Sequence, residues 1–345
     1  MDSLRIDSHK LHFHPMRVAQ WVADKDDWET ARRIYPIYIE VSPIGGCNHQ
    51  CTMCGVDYVI EEHAKGSIPQ LDPWLYGERI MEMGALGIRS VMFAGEGEPL
   101  LHKRINDLVR ATHHADVRSA FTTNGTLLHK LDLAGVSWVK VSINGGTRET
   151  YAKVHRTKES DWDRVWANVS DAVRRSNGCQ IGVQMVLLPE NQHEVEAFER
   201  KAEEAGAHYV VIKAVSQQKF SINRQYENFI PIVPESKRAI VRADSMRTQE
   251  IPYDKCQATP YFWAYWMSSG DLYSCSAYLL DERFNLGNLN THTFKQIWQG
   301  EKRRQNWEYV RKHLDIHECR LNCRMDKVNR YLTDLEGGVP NVDFI

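Results

Sequence analysis

No run of about 18 apolar residues, the length a membrane-spanning helix needs, occurs in the 345-residue chain, so a membrane partner is not expected. An excess of one charge is also missing. Lys and Arg number 43 against 45 Asp and Glu, and the formal net charge of −2 gives no reason to expect nucleic acid as a partner. The opening Met1-Asp2-Ser3-Leu4-Arg5 has no apolar segment behind it and does not read as a secretory signal. Internal repeats and low-complexity tracts are absent. The expected location is therefore the cytoplasm, where thiols stay reduced. There the eight cysteines point to metal or redox chemistry rather than to disulfides. What remains is ordinary globular composition, 42% hydrophobic and 26% charged, enough to bury a core of normal size.

Residues 1–35 read as a polar lead-in containing His and Trp, with a helical stretch around His14 to Ala23. Short β-branched runs then alternate with amphipathic stretches, the pattern of βαβ units on a parallel sheet. Strands are expected at Pro36–Ser42, Ser90–Ala94, Ser119–Thr123, Trp138–Ile143, Gln180–Leu187 and Tyr209–Ala214. Helical patterns lie between them at Pro73–Leu86, Lys103–His113, Trp162–Arg175 and His193–Ala205. Six such units suffice for an open, partial TIM-like barrel but not for a closed eight-stranded one. After Val215 the rhythm breaks into a polar, Pro-containing linker, and the barrel is bounded at about 36–235. Residues 236–345 read as a second domain, with a hairpin over Tyr261–Ser274 and a long helix from Phe294 to about His313.

The strongest chemical signal is Cys47-Asn48-His49-Gln50-Cys51-Thr52-Met53-Cys54, a loop directly after the first strand. Three thiolates at this spacing can hold three corners of a cubane cluster and leave the fourth iron open, as coordination of a substrate or cofactor requires. A zinc site with His49 as fourth ligand is the alternative. Beyond the loop come Gly95-Glu96-Gly97-Glu98-Pro99 after the second strand, Thr123-Asn124-Gly125 after the third, and Ser142-Ile143-Asn144-Gly145 after the fourth. Singly, each is ordinary strand-to-helix turn chemistry.

Taken together, these segments resemble the radical S-adenosylmethionine (SAM) superfamily, whose signature is CxxxCxxC after the first barrel strand. That resemblance implies a [4Fe-4S] cluster on Cys47, Cys51 and Cys54. It also implies SAM contacts from Met53, Gly95, Glu96, Gly97, Glu98, Asn124, Ser142, Asn144 and Gln184, and a reducing partner such as flavodoxin or ferredoxin. Met53 departs from the family, which often has an aromatic beside the adenine; a polarizable thioether can still pack there.

Cys256, Cys275, Cys319 and Cys323 form a second set, enough for one thiolate per iron of a closed [4Fe-4S] cluster. A structural zinc site would use the same four residues. The arrangement resembles the auxiliary-cluster module of the SPASM/twitch branch of the superfamily, as does Phe284–Leu289 with the Ile297-Trp298 helix after it. The fold class expected is thus a partial (β/α)6 barrel with a C-terminal auxiliary iron–sulfur domain. A closed cluster suits electron transfer, and the twitch-type members this chain resembles include sugar-like aminocyclitol dehydrogenases. On that resemblance the expected activity is oxidation of a carbinol C–H of a sugar-like small molecule to a ketone. Epimerisation of a sugar, modification of a peptide and a non-enzymatic metal protein are the alternatives. The lead-in at Asp7–Leu11 and His14-Pro15, and the close at 340–345, suggest carbohydrate-acting relatives. Asp57, Tyr58, His155, Arg156, Gln184, Glu190 and Lys213, near strand ends, are nominated as substrate contacts. Cys179 is placed at the far end of the barrel with a structural role.

Overall fold

Alternation along the strands builds the molecule. In Gln180–Leu187 every second residue (Ile181, Val183, Met185, Leu187) is fully buried in the main core. Gly182, Gln184 and Val186 take the opposite face, because successive side chains of a strand point to opposite sides. The buried set meets Ile80 and Met83 of the helix Pro73–Ala85, Leu108 and Val109 of Ile105–His114, Val165 and Val169 of Glu159–Arg175, and Phe198 of Val195–Glu204. The first of these helices starts at Asp72, whose carboxylate accepts from the N–H groups of Trp74 and Leu75, with Pro73 at the first helical position.

In this computed structural model, residues 1, 3, 217–218, 247–250, 321–322, 339, 342 and 344–345 lie outside what is described. Parts of the linker and of the closing 340–345 segment therefore fall there. The described strands are β1 (Tyr38–Val41), β2 (Ser90–Phe93), β3 (Arg118–Thr123), β4 (Val136–Ser142), β5 (Gln180–Leu187), β6 (Tyr209–Ala214), β7 (Ile240–Val241), β8 (Trp263–Trp266), β9 (Asp271–Tyr273) and β10 (Asn285–Asn288). They form one sheet in the order β10-β9-β8-β1-β2-β3-β4-β5-β6-β7. From β8 through β1 to β7 all neighbours are parallel, and β8-β9-β10 are antiparallel. This is the open, partial α/β barrel expected from the six βα units.

The C-terminal part is not a separate sheet. β8 runs alongside β1, with Tyr38 opposite Trp263 and Glu40 opposite Tyr265. Its hairpin turns at Gly270, whose φ of +93° an L side chain rarely adopts. The long helix expected from Phe294 breaks into Phe294–Trp298 and Glu301–Lys312, because Gly300 leaves helical geometry and caps the second helix. The lead-in packs Trp21 and Ile34 against Tyr261, Phe262, Trp307 and Leu332, tying both ends of the chain together. No described helix is long and apolar enough to cross a membrane.

Candidate functional site

The cysteine loop leaves β1 and is pinned to the end of the helix Arg148–His155. Gln50 N–H donates to the His155 carbonyl at 3.3 Å, and Thr52 N–H to the Val154 carbonyl at 2.9 Å. Asn48 ties the loop sideways to the β3 turn: its amide donates to Thr126 Oγ1 at 3.0 Å and accepts from Asn124 Nδ2 at 2.8 Å. The tethers bring the three thiols into mutual electrostatic reach. Burial, then the carboxylate of Glu98, pushes Cys47 up to about 12, and burial pushes Cys54 up to about 11. Cys51 lies well above its ordinary value, through burial and then the other two thiols. Buried thiols that hold each other protonated are a donor set that a cation would convert to thiolates, so these residues fit an iron–sulfur cluster.

His155 is fully buried with Nδ1 3.2 Å from Cys51 Sγ. The backbone N–H of Asn144 donates to its Nε2 at 3.1 Å, which places the ring proton on Nδ1, facing the sulfur. Burial, then His49, holds its pKa well below the ordinary value, so the ring is neutral. His49 lies close by, and ligand atoms of His49, Cys51 and His155 come within 4.8 Å of one another. The geometry alone therefore also admits a single ion at Cys51.

The strand-end segments converge as a frame. Gly97 packs so closely on the cysteine loop that a Cβ there would sit 2.2 Å from the Ile44 carbonyl. Glu98 N–H donates to the Gly46 carbonyl at 2.9 Å. The Glu98 carboxylate accepts from Thr123 Oγ1 at 2.6 Å, Asn124 N at 2.7 Å and Leu100 N at 3.1 Å, and burial raises its pKa. Glu96 turns the other way and accepts from Tyr265 OH at 2.8 Å and from Ser268 N and Oγ at 3.0 and 2.7 Å, joining barrel to C-terminal part. The Asn144 side chain is taken up by Val186 N at 2.7 Å, and that of Asn124 by Asn48 and Thr126. Four residues expected as cofactor contacts thus spend their side chains inside the frame. Ser142 and Gln184 differ: they are register partners on the barrel's inner face. Met53 packs at the edge of the Val154, Leu188, Val215 and Tyr226 cluster.

Cys256, Cys275, Cys319 and Cys323 all pack against one small core of Tyr273, Tyr278, Phe284 and Val310. Burial, then Cys323, raises Cys275, and Cys319 is pushed up to about 11 by burial. Cys256 acts on Cys275, Cys319 and Cys323 alike, so the four sulfurs share one locality. Beside them opens a cavity of about 690 Å³, bordered by Val215, Tyr226, Arg242, Cys256, Arg320 and Arg324. Of the nominated substrate contacts, Asp57 accepts from Ile222 N and Asn223 N at 3.0 and 2.8 Å and is a tether. Arg156 is the left-handed cap of its helix. Glu190 accepts from Tyr226 OH at 3.1 Å, and the Tyr58 hydroxyl is buried with no partner among the described residues. Asp7 pairs with Lys327 at 3.1 Å at the cavity rim. Cys179 is 1% exposed in the main core. Sequence reasoning missed the tethering role of Asn48, a position the cysteine motif leaves open, and took His155 only as a substrate contact.

Comparison with known proteins agrees with this frame. The model of the radical SAM superfamily matches residues 41–202, and that of the SPASM iron–sulfur cluster-binding domain matches 256–324. The chain belongs to the radical SAM superfamily, in its SPASM/twitch branch, and its cofactors are SAM and two iron–sulfur clusters. Among solved structures, Streptococcus suis SuiB bound to S-adenosylmethionine superposes with a TM-score of 0.59 at 13% identity, covering 88% of this chain and 72% of that one. Native anSMEcpe with bound AdoMet gives 0.56 at 15%, covering 86% and 88%. Both show a shared fold. The GTP 3',8-cyclase of Chlorobaculum tepidum is 31% identical over 173 residues, 47% of this chain and 48% of the relative. That of Microcystis aeruginosa is 30% identical over 172 residues, 46% and 50%. The chain thus spans about half the length of these curated relatives.

Those relatives overturn the expected carbinol oxidation of a sugar-like molecule. Their names describe ring closure within a nucleotide rather than loss of hydrogen to a ketone. The physical reason is that a closed auxiliary cluster can pass an electron in either direction, so counting its cysteines does not select the reaction.

Proposed function

We propose that the chain is a radical SAM enzyme that removes a hydrogen atom from a nucleotide-sized small molecule, whose radical then closes a ring or rearranges within itself. The observation that carries this is the cavity of about 690 Å³ beside Cys256, Cys319 and Cys323. Its volume falls within the roughly 300–1,000 Å³ of small-molecule sites. The names of the curated relatives supply the reaction class. We assign Cys47, Cys51 and Cys54 to the catalytic cluster and Cys256, Cys275, Cys319 and Cys323 to the auxiliary one. Gly95, Gly97, Met53, Ser142 and Gln184 would hold SAM. When bound, SAM and its cluster supply the 5′-deoxyadenosyl radical that abstracts hydrogen.

The chain's own part is positional. Glu98 fixes the glycine turn against the cysteine loop, Asn48 and Asn124 fix that loop against β3, and Ser142 and Gln184 offer polar groups on the inner wall. Holding reactants in this way, with water displaced, is what the barrel contributes. A cytoplasmic flavodoxin or ferredoxin would be the reductant.

Anaerobic turnover of the reconstituted protein with GTP and a panel of other nucleoside phosphates tests the reading. Substrate-dependent 5′-deoxyadenosine and a product isobaric with its substrate are expected, because ring closure onto an unsaturated atom followed by uptake of an electron and a proton restores the mass. A product that has lost a pair of hydrogens, or turnover only with a peptide, would overturn it.

A further inference from the structure

The inner wall of the barrel carries more basic groups than the described carboxylates around it pair with. Lys140 on β4 and Lys213 on β6 stand on inward-facing positions: Lys140 shares the face of Ser142, and Lys213 lies in register with Val186, one inward position beyond Gln184. The two lysines are in electrostatic reach of each other and of Arg242 and Arg324. Arg320 acts on Lys213 as well. The carboxylates nearby are already engaged. Glu40 pairs with Arg324, and Asp7 with Arg242 at 3.5 Å and Lys327 at 3.1 Å. Around the cavity, Glu318 pairs with Lys219 at 2.7 Å, Glu227 with Arg224, and Asp326 with Arg330 at 2.8 Å.

Three basic groups remain. Among the described residues no carboxylate pairs with Lys140 or Lys213, and the buried Nε of Arg320 has no hydrogen-bond partner. Lys140 Nζ lies over the Trp138 ring, 5.8 Å from its centroid. Burial first, then the neighbouring arginines, pushes Lys140 down to about 7. Burial and then Lys140 place Lys213 well below its ordinary value. A desolvated amine without a counter-ion is costly, and an apolar residue in its place would stabilise the fold. Groups kept in such a state cluster at functional sites.

We infer that Lys140, Lys213 and Arg320 form an anion site that takes the phosphate ester or diphosphate group of the substrate. The inference deepens the proposed function and rests on reading the cavity that Arg320 borders as the substrate pocket. A phosphoryl group fits better than a carboxylate. It brings up to about two negative charges and three acceptor oxygens against one charge and two oxygens, and each ammonium offers three donors. Arg320 directly follows Cys319 in sequence, so the anion would be gripped between the barrel wall and the neighbourhood of the auxiliary thiols.

Inorganic pyrophosphate is the probe, titrated calorimetrically into the protein loaded with both clusters. Binding that weakens with added salt is expected. Lys140→Met and Lys213→Met should each weaken it by about tenfold or more, the loss of one charge-assisted contact. Lys213→Arg should keep most of it, and Lys103→Met on the surface should change nothing. Without pyrophosphate, the Met variants should melt no lower than the wild type; a merely structural lysine would melt lower. If the double Met variant does not fold, the pyrophosphate-dependent rise in Tm of the wild type against Arg320→Gln decides the same question. No binding by the wild type, or unchanged affinity in the double variant, would overturn the site. The titration needs no turnover, so it can fail while the ring-closing reading stands, and the reverse.

Discussion

Cys47, Cys51 and Cys54 come from one loop of eight consecutive residues, whereas Cys256, Cys275, Cys319 and Cys323 come from three stretches between 256 and 323. The first set is held by a handful of local tethers, from the Val154 carbonyl, His155 and Asn48. The second has tethers of its own, with Thr259 Oγ1 3.2 Å from Cys256 Sγ and Tyr278 OH 3.5 Å from Cys319 Sγ, but its four thiols come together only through the small core of Tyr273, Tyr278, Phe284 and Val310. A three-thiol loop on a rigid barrel can leave a metal corner open, because the barrel and not the metal supports it. A four-thiol set assembled from distant stretches makes the metal part of the fold.

The comparison breaks most visibly if the first set is removed. Cys47→Ala, Cys51→Ala and Cys54→Ala together should abolish 5′-deoxyadenosine formation and remove about four irons, with the thermal midpoint nearly unchanged. A collapse of the fold in that triple variant would show that both sets are structural. Removing the other four thiols should also cost about four irons, yet leave SAM cleavage measurable and lower the midpoint by roughly 2–4 °C per kcal/mol lost. Differential scanning calorimetry and iron analysis read both outcomes.

Glu96 joins the two regions, and Glu96→Ala strands Tyr265 OH and Ser268 N and Oγ in a buried site. A loss on the order of 3 kcal/mol is expected in denaturant unfolding; a loss below about 0.5 kcal/mol, the size of an ordinary surface change, would mean that the joint is carried by β1–β8 pairing alone. His155→Phe sharpens the comparison without breaking it. It removes the donor facing Cys51, so the potential of the catalytic cluster should fall while that of the auxiliary cluster and the iron content stay put. Redox titration followed by EPR checks this.

The smallest effect concerns pH. With Lys140 held at about 7 against an ordinary 10.5, the unfolded chain binds more protons than the folded one between those values. Stability therefore rises with pH across about 7 to 10.5 on this lysine's account. Arg324 and Arg242 add to the depression and Glu40 opposes it. Lys140→Met should flatten that slope in a series of urea unfolding curves, and an unchanged slope would assign it to other groups.

The barrel was legible because its strands and helices announce themselves locally. β5 and β6 match the sequence expectation residue for residue, since alternating burial and flanking turn residues fix both period and ends. The helices Asp57–Ala64 and Asp326–Gly337 were not anticipated, because each follows a cysteine turn whose chemistry masks its start. Cysteine spacing was visible as a motif in the sequence, whereas the close approach of Gly97 to the Ile44 and Gly46 carbonyls, where a Cβ would not fit, came only from the fold.

What the sequence by itself determined is thus the cofactor chemistry: motif spacing acts over a few residues and survives in one dimension. The tertiary structure decided the rest. It turned Glu96, Glu98, Asn124 and Asn144 inward to the frame, set His155 against Cys51, and fused the C-terminal hairpin to β1. It also brought Lys213 within electrostatic reach of Lys140 and Arg320, with no carboxylate paired to either lysine among the described residues. Those relations join residues tens to hundreds of positions apart, and local propensity carries no record of which side chains a curved, open sheet will bring into one low-dielectric interior.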